Sequence, residues 1–436
     1  MIPVGPEQRE LLRPEHAAVA APRLARGVEL LGPYRDCGLE NPPYLVRRAG
    51  TVLQVSRLLY VVAAAVDGHR RFDAIAAEAS AVLERPLSAA AVRHVVMARL
   101  APAGIVAPDG ECYDRPVPPT SGDDRVLALR YRWALLGPHD VDAVARVLAW
   151  LFHPAVMAGI LASVVGFDGW LFAGHGVAGA VEHTIRHPAL LLLVAALTCL
   201  AGAFHEFGHA AACHSSGARP GVLGAGIYLV WPVLFTDVTD AYRLGRTGRL
   251  RTDLGGVYFN AVFIAGLACL YAATGWEPLV TAVVVQHVAI LDQLMPWFRF
   301  DGYYVVSDLT GVPDILTRVR PALSRIIPGR RPDPGAAALR PRSRRILVAY
   351  LGSLAAFVAV AALVTIRRAP ELVASEWHSI VVQLHALRHA VGMWDLPGGV
   401  VVTIQLGLVA APLVGLVLTL GLVARGATRN GALRSV

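Results

Sequence analysis

The chain has 436 residues, 55% of them hydrophobic, with a positive mean hydropathy and a formal net charge of +8. A composition this apolar excludes an ordinary soluble enzyme and points to an integral membrane protein carrying a soluble part. All 40 basic residues are arginine, and they gather beside apolar segments, which the positive-inside rule explains better than nucleic-acid binding does.

Residues 1–40 read as an irregular segment. The first 30, rich in Arg, Glu and Pro, hold no apolar core of a secretory signal, so this end is expected in the cytosol. Residues 41–110 predict a small α+β domain: a hairpin around Gly50, a helix over 56–66 stopped by Asp67-Gly68, a second helix after Phe72, a third over 89–101 and a strand-like end at 104–106. Residues 111–143 read as a linker, polar over most of its length. Cys37, Cys112, Cys199, Cys213 and Cys269 are scattered with no CxxC, so neither a zinc ribbon nor a disulfide framework is indicated.

Six apolar spans follow, at about 144–167, 188–213, 254–274, 278–296, 345–366 and 399–424. The 214–253 and 297–344 connections and the segment after the last span are rich in Arg, whereas 168–187 and 275–277 are not. That asymmetry predicts a multi-pass protein with both termini in the cytosol. Arginine-only usage with abundant Ala, Val and Gly suggests a GC-rich bacterial genome, hence the bacterial inner membrane. A stretch at 220–235 is expected to dip into the membrane without crossing it, or to form an edge strand.

The second span ends in His205-Glu206-Phe207-Gly208-His209. Residues four apart on a helix lie about one turn apart on one face, so the two imidazoles can hold one zinc ion, with Glu206 beside them as a candidate general base. Ionisable groups are costly inside a bilayer and mark function there. His214 fails as a third ligand, because it falls roughly 140° round the helix from His209. The strongest candidate is Asp301, after the helix-breaking Pro296 and beside Gly302; His287 and Asp292 compete for the place. Asp237 and Asp240 can neutralise nearby arginines or support the ligands. Asn260 can hydrogen-bond a substrate or hold two helices together.

Three ordered motifs, HEFGH at 205–209, GVYFN at 256–260 and PWFRFDG at 296–302, resemble those of the site-2 protease family of intramembrane zinc metalloproteases, over about residues 190–310. Val257 stands where that family usually has Pro, and Gln293 where the third motif usually starts with Asn. IYLVWPVLFTDVTDAYRL together with RFDGYYVVSDL is most similar to the branch described as peptide zinc metalloproteases. The resemblance implies a metalloprotease core over 144–310, a basic cytosolic loop over 311–344 and C-terminal transmembrane helices over 345–436. It also implies Zn2+ held by His205, His209 and Asp301, Glu206 as base and Asn260 as a substrate-positioning amide. With a Gly-x-x-x-x-x-Ser opening at 50–56, a VDG after the first helix at 66–68 and an AGIV close at 103–106, residues 41–110 are similar to PqqD-like winged-helix domains, which bind leader peptides of ribosomally made, modified peptides by strand addition. The expected activity is therefore hydrolysis of a peptide bond in a small peptide, as leader removal or maturation. The partners expected are a peptide substrate, membrane lipid, and peptide-modifying enzymes or an exporter. Regulated proteolysis of a membrane signalling protein, a non-catalytic export or immunity subunit, and metal transport remain alternatives from the sequence.

Overall fold

The computed structural model describes residues 21–48, 51–107, 130–228, 231–295, 299–313, 315 and 339–393, and parts of 398–407. The chain forms two compact units, Met1–Gly122 and Asp123–Val436.

In the first unit, β1 (Arg23–Leu24), β2 (Val28–Pro33), β3 (Tyr44–Arg48) and β4 (Thr51–Val55) precede α1 (Arg57–Ala64), α2 (Phe72–Leu83), α3 (Ala89–Val95) and β5 (Val106–Ala107). Strands β2, β3 and β4 form an antiparallel sheet, and β1 pairs with β5. The Ser56 hydroxyl caps α1 by accepting from the Leu59 amide at 3.4 Å, and Gly68 turns the chain out of the following segment with φ +88°. A π-helical turn over Val96–Leu100 extends α3. Val46, Val62, Ile75, Val92, Val96 and Leu100 are buried in one core. The segment expected to be irregular up to residue 40 holds β1 and β2. Their apolar residues are spread over short stretches that carry no long alternation, and pairing with β5 and β3 decides their conformation.

The second unit opens with β6 (Arg130–Leu136), inside the stretch read as a linker, and the amphipathic α4 (Pro138–Leu148), which begins in it and ends beyond it. Then come α5 (Pro154–Trp170), α6 (Ala178–Arg186), α7 (Pro188–Ser215), β7 (Leu223–Tyr228), β8 (Trp231–Thr236), α8 (Arg246–Asp253), α9 (Gly255–Thr274), α10 (Pro278–Gln293), α11 (Asp301–Thr310) and α12 (Pro341–Gly392). The strands form an antiparallel sheet in the order β6-β7-β8. Helix α4 docks on the end of α7 through Asp142, which meets His214 at 2.9 Å and Arg146 at 2.9 Å. His214 first, and then Arg146, hold the Asp142 carboxyl below the usual carboxylate range.

Among the described residues, three helical stretches are long and apolar enough to cross a membrane: Pro154–Gly174, Ala189–Ser215 and Gly255–Thr274. This fits a mostly helical membrane protein and corresponds to three of the six spans expected. The first span starts at Pro154 rather than 144, because that proline opens a new helix after the 3-10 turn Ala149–Phe152. Helix α10 is apolar but only 16 residues long, about 24 Å, short of a hydrocarbon core of about 30 Å. The expected span at 345–366 is part of the single 52-residue helix α12, and most of 399–424 lies outside the described residues.

Helices α7 and α9 meet at glycines. A Cβ on Gly208 would collide with the Gly255 carbonyl and lie 2.7–2.8 Å from Phe259 side-chain atoms, and one on Gly255 would lie 2.5 Å from the Gly208 carbonyl oxygen. Small residues let two apolar helices bring their backbones together where no hydrophobic force separates helix from lipid. Phe152, Tyr258 and Phe259 pack beside this contact, and the Tyr258 hydroxyl donates to the Leu151 carbonyl at 2.8 Å. Gly208→Val and Gly255→Val should each destabilise the protein by about 1–3 kcal/mol through overpacking. Gly166→Ala, which meets nothing within 4 Å, is the control. Thermal unfolding in detergent checks this, and equal melting temperatures for all three variants would refute the close approach.

Candidate metal centre

His205 and His209 lie on α7 just past its most apolar stretch, four residues apart, and both are buried. Their Nε2 atoms are 3.1 Å apart. The Asp301 carboxylate, in the first turn of α11, lies 3.2 Å from His205 Nε2 and 3.3 Å from His209 Nε2. Ligand atoms about 2.0–2.1 Å from a tetrahedral zinc ion stand about 3.3–3.4 Å from one another, so the three atoms fit one ion. Among the described residues this is the one group of three or more His, Cys, Asp or Glu side chains with ligand atoms within 4.8 Å of one another. Asp301 Oδ2 is buried without a hydrogen bond, the condition of a carboxylate oxygen directed at a cation. The group can therefore hold a metal ion.

The surrounding residues aim the ligands. His209 donates from Nδ1 to the Thr252 carbonyl at 2.8 Å, which leaves the Nε2 lone pair for a metal. Gly256 lies against both rings: a Cβ there would strike His205 Nε2 and stand 2.5 Å from His209 Nε2. Gly302 brings the start of α11 onto the Leu294 backbone at the end of α10, where a side chain would collide. Buried Arg249 on α8 donates to Asp308 on α11 at 2.7 Å and to the Leu244 carbonyl at 2.8 Å. Burial, and then the Asp308 carboxylate, push the Asp253 carboxyl well above the usual carboxylate range. This network joins the helix that carries Thr252 to the helix that carries Asp301.

A cavity of about 470 Å³ opens on the three ligands. Glu206 lines it, half-buried, and its backbone carbonyl accepts from the Thr236 hydroxyl on β8 at 2.9 Å. Val233, Leu234 and Phe235 of β8 form another wall, and Gln293, Asp253 and Tyr304 also border the space.

Of the sequence candidates, the structure brings His205, His209, Asp301 and Glu206 together. It separates the competitors for third ligand. Asp292 is exposed on α10, and His287 pairs with Asp168 at 3.0 Å and donates to the Val283 carbonyl at 2.9 Å. Asp240 pairs with Arg243 at 2.7 Å, and Asp237 lines the cavity. Asn260 is buried one turn beyond Gly256 and is not among the residues lining the cavity. Since Gly256 already touches the histidines, a residue one turn further on points at a deeper level of the helix pair. The sequence reading missed Thr252, Arg249 and Asp308. A backbone carbonyl leaves no mark in a sequence, and Arg249 sits in a run of arginines that reads as a positive-inside loop.

Compared with protein-family models, with curated proteins and with solved structures, the chain matches none.

Asp301→Ala should abolish stoichiometric zinc binding by the purified protein, whereas Asp292→Ala should retain it. Elemental analysis after dialysis decides, and the reverse pattern would remove Asp301 from the site. Asp308→Asn should weaken zinc binding about 10–100-fold through the aim of its neighbours, measured by competition with a chromogenic chelator; unchanged affinity would mean the network serves stability alone.

Proposed function

We propose that the protein is an intramembrane zinc metallopeptidase of the site-2 protease kind, cutting a small, ribosomally made peptide during maturation. The observation that carries this reading is the convergence of His205, His209 and Asp301 at the end of an apolar helix, with Glu206 on the same cavity. Zinc, when bound, supplies Lewis acidity toward the scissile carbonyl and the attacking water. Glu206 takes the proton from that water as its oxygen bonds to the carbonyl carbon, then delivers it to the amine as the C–N bond breaks. Water reaches the site past the charged groups at the cavity, Glu206, Asp237 and Arg299 among them. A helical substrate hides its carbonyls in its own hydrogen bonds, so the cut segment must be extended. Strand β8 ends the β6-β7-β8 order and borders the cavity, which suits it to hold such a segment by strand addition.

In this reading the metal end of α7 faces the cytosol, in keeping with Arg219, Arg243, Arg246, Arg249 and Arg251 in the connection that follows. The first unit captures the leader on an outer strand of its three-stranded sheet, as PqqD-like domains do.

Glu206→Gln should keep its zinc and lose about 10²–10⁴-fold in cleavage rate. The assay incubates the reconstituted protein with the precursor peptide encoded beside its gene and reads product masses. Zinc bound by both proteins with no cleavage by either would refute the peptidase reading.

A further inference from the structure

Strand β6 is irregular where it crosses the cavity rim. Arg130 pairs with Ile227 and Trp133 with Ala225, so β6 takes one more residue than β7 between these points. Tyr131, inside that bulge, has φ +49°, a left-handed conformation that a bulky residue rarely adopts. Bulges of this kind re-aim a side chain, often beside a binding site. Here Tyr131, Trp133 and Leu135 are all exposed, at 70%, 55% and 58%, and Arg132 between them, also exposed, lines the mouth of the metal cavity.

Arg132 is held there by stacking. Its guanidinium carbon lies 4.6 Å from the centre of the Phe235 ring on β8, two strands away. The ring crosses β7 over Gly224, where a Cβ would come within 2.7 Å of it. Stacking occupies the face of a guanidinium and leaves its edge, the N–H fork that fits a carboxylate. No described carboxylate lies within ion-pair distance of Arg132, whereas Arg249 on the same cavity is committed to Asp308. Phe235 precedes Thr236, whose hydroxyl holds the Glu206 carbonyl, so Arg132 lies along β8 from the catalytic end.

We infer that Arg132, stacked on Phe235 across Gly224, is a specificity residue that binds a carboxylate of the peptide lying along β8. This rests on the peptide-cleaving reading above and deepens it to a substrate class, an acidic peptide. Held at Arg132, the carboxylate sets the direction of the peptide along β8. Two sources share that chemistry, an Asp or Glu side chain and a free C-terminus.

The test uses the full-length zinc-loaded protein in lipid nanodiscs, with Glu206→Gln added so that peptides persist. The probes are fluorescein-labelled apolar dodecapeptides read by anisotropy. One set carries Glu at each position in turn with an amidated C-terminus, a second Gln with an amidated end, a third Gln with a free carboxylate, and a fourth Lys with an amidated end. A Glu or a free-terminus peptide should bind about tenfold tighter than its Gln amide, and which one does identifies the source. Arg132→Gln should erase that preference with zinc content unchanged, and Arg132→Glu should transfer it to a Lys peptide. Equal binding of all probes, no binding at all, or a preference that survives Arg132→Gln overturns the inference. So does binding that follows the phosphatidylglycerol content of the disc for charged and neutral peptides alike, which would make Arg132 a lipid headgroup contact. Cleavage by the protein with Glu206 intact is followed in parallel. An Arg132-dependent preference without cleavage would leave the carboxylate site standing and refute the peptidase.

Discussion

The backbone contact between α7 and α9 is the constraint on which the site depends. The carbonyl oxygen of each of Gly208 and Gly255 occupies the place of a side chain on the other, and Gly256 lies against the Nε2 edges of His205 and His209. With bare backbone on that side, water has no place between the imidazoles and α9. The two lone pairs share one direction, toward the start of α11. Buried polar groups without partners cost several kcal/mol, and a cation shared with Asp301 satisfies all three at once. Any side chain larger than hydrogen at Gly256 would occupy the place the ligand atoms need.

Asp301 arrives by a different route. Helix α11 is short, and its place is set by Gly302 against the end of α10 and by Asp308 against Arg249. A buried ion pair is weak evidence for stability, because desolvation offsets much of the attraction. Its geometry is what matters here. The guanidinium also holds the Leu244 carbonyl, and the same helix, α8, offers the Thr252 carbonyl to His209. One network thus aims an imidazole from α7 and a carboxylate from α11 at the same point. The remaining side of the cavity is left to the sheet, whose strand β8 is tied to α7 by Thr236 and carries the Phe235 ring on which Arg132 rests.

Much of this was legible in the residues. The spacing of His205 and His209, the apolar run before them and the Pro-Gly punctuation around Asp301 follow local rules of helix geometry. The helices after Ser56 and Phe72 announced themselves by caps and breakers. Hydropathy failed where it had to decide lengths: Pro154 divides one expected span, and α10 is apolar yet too short. Strands β1, β2 and β6 went unread, since a short strand owes its conformation to its partner rather than to its own residues.

The sequence by itself determined that this chain has apolar membrane-length helices, that two histidines share a helix face beside a glutamate, and that a third ligand from elsewhere in the chain must complete any metal site. These are properties of a few consecutive residues, read at 3.6 residues per turn. The tertiary structure alone decided that Asp301 and not Asp292 or His287 meets the histidines, that a backbone carbonyl orients His209, and that Arg132 borders the cavity over the Phe235 ring. Each of those depends on segments far apart in the chain meeting within a few ångströms, and contact at that range is set by packing of whole helices and strands, which no local pattern records.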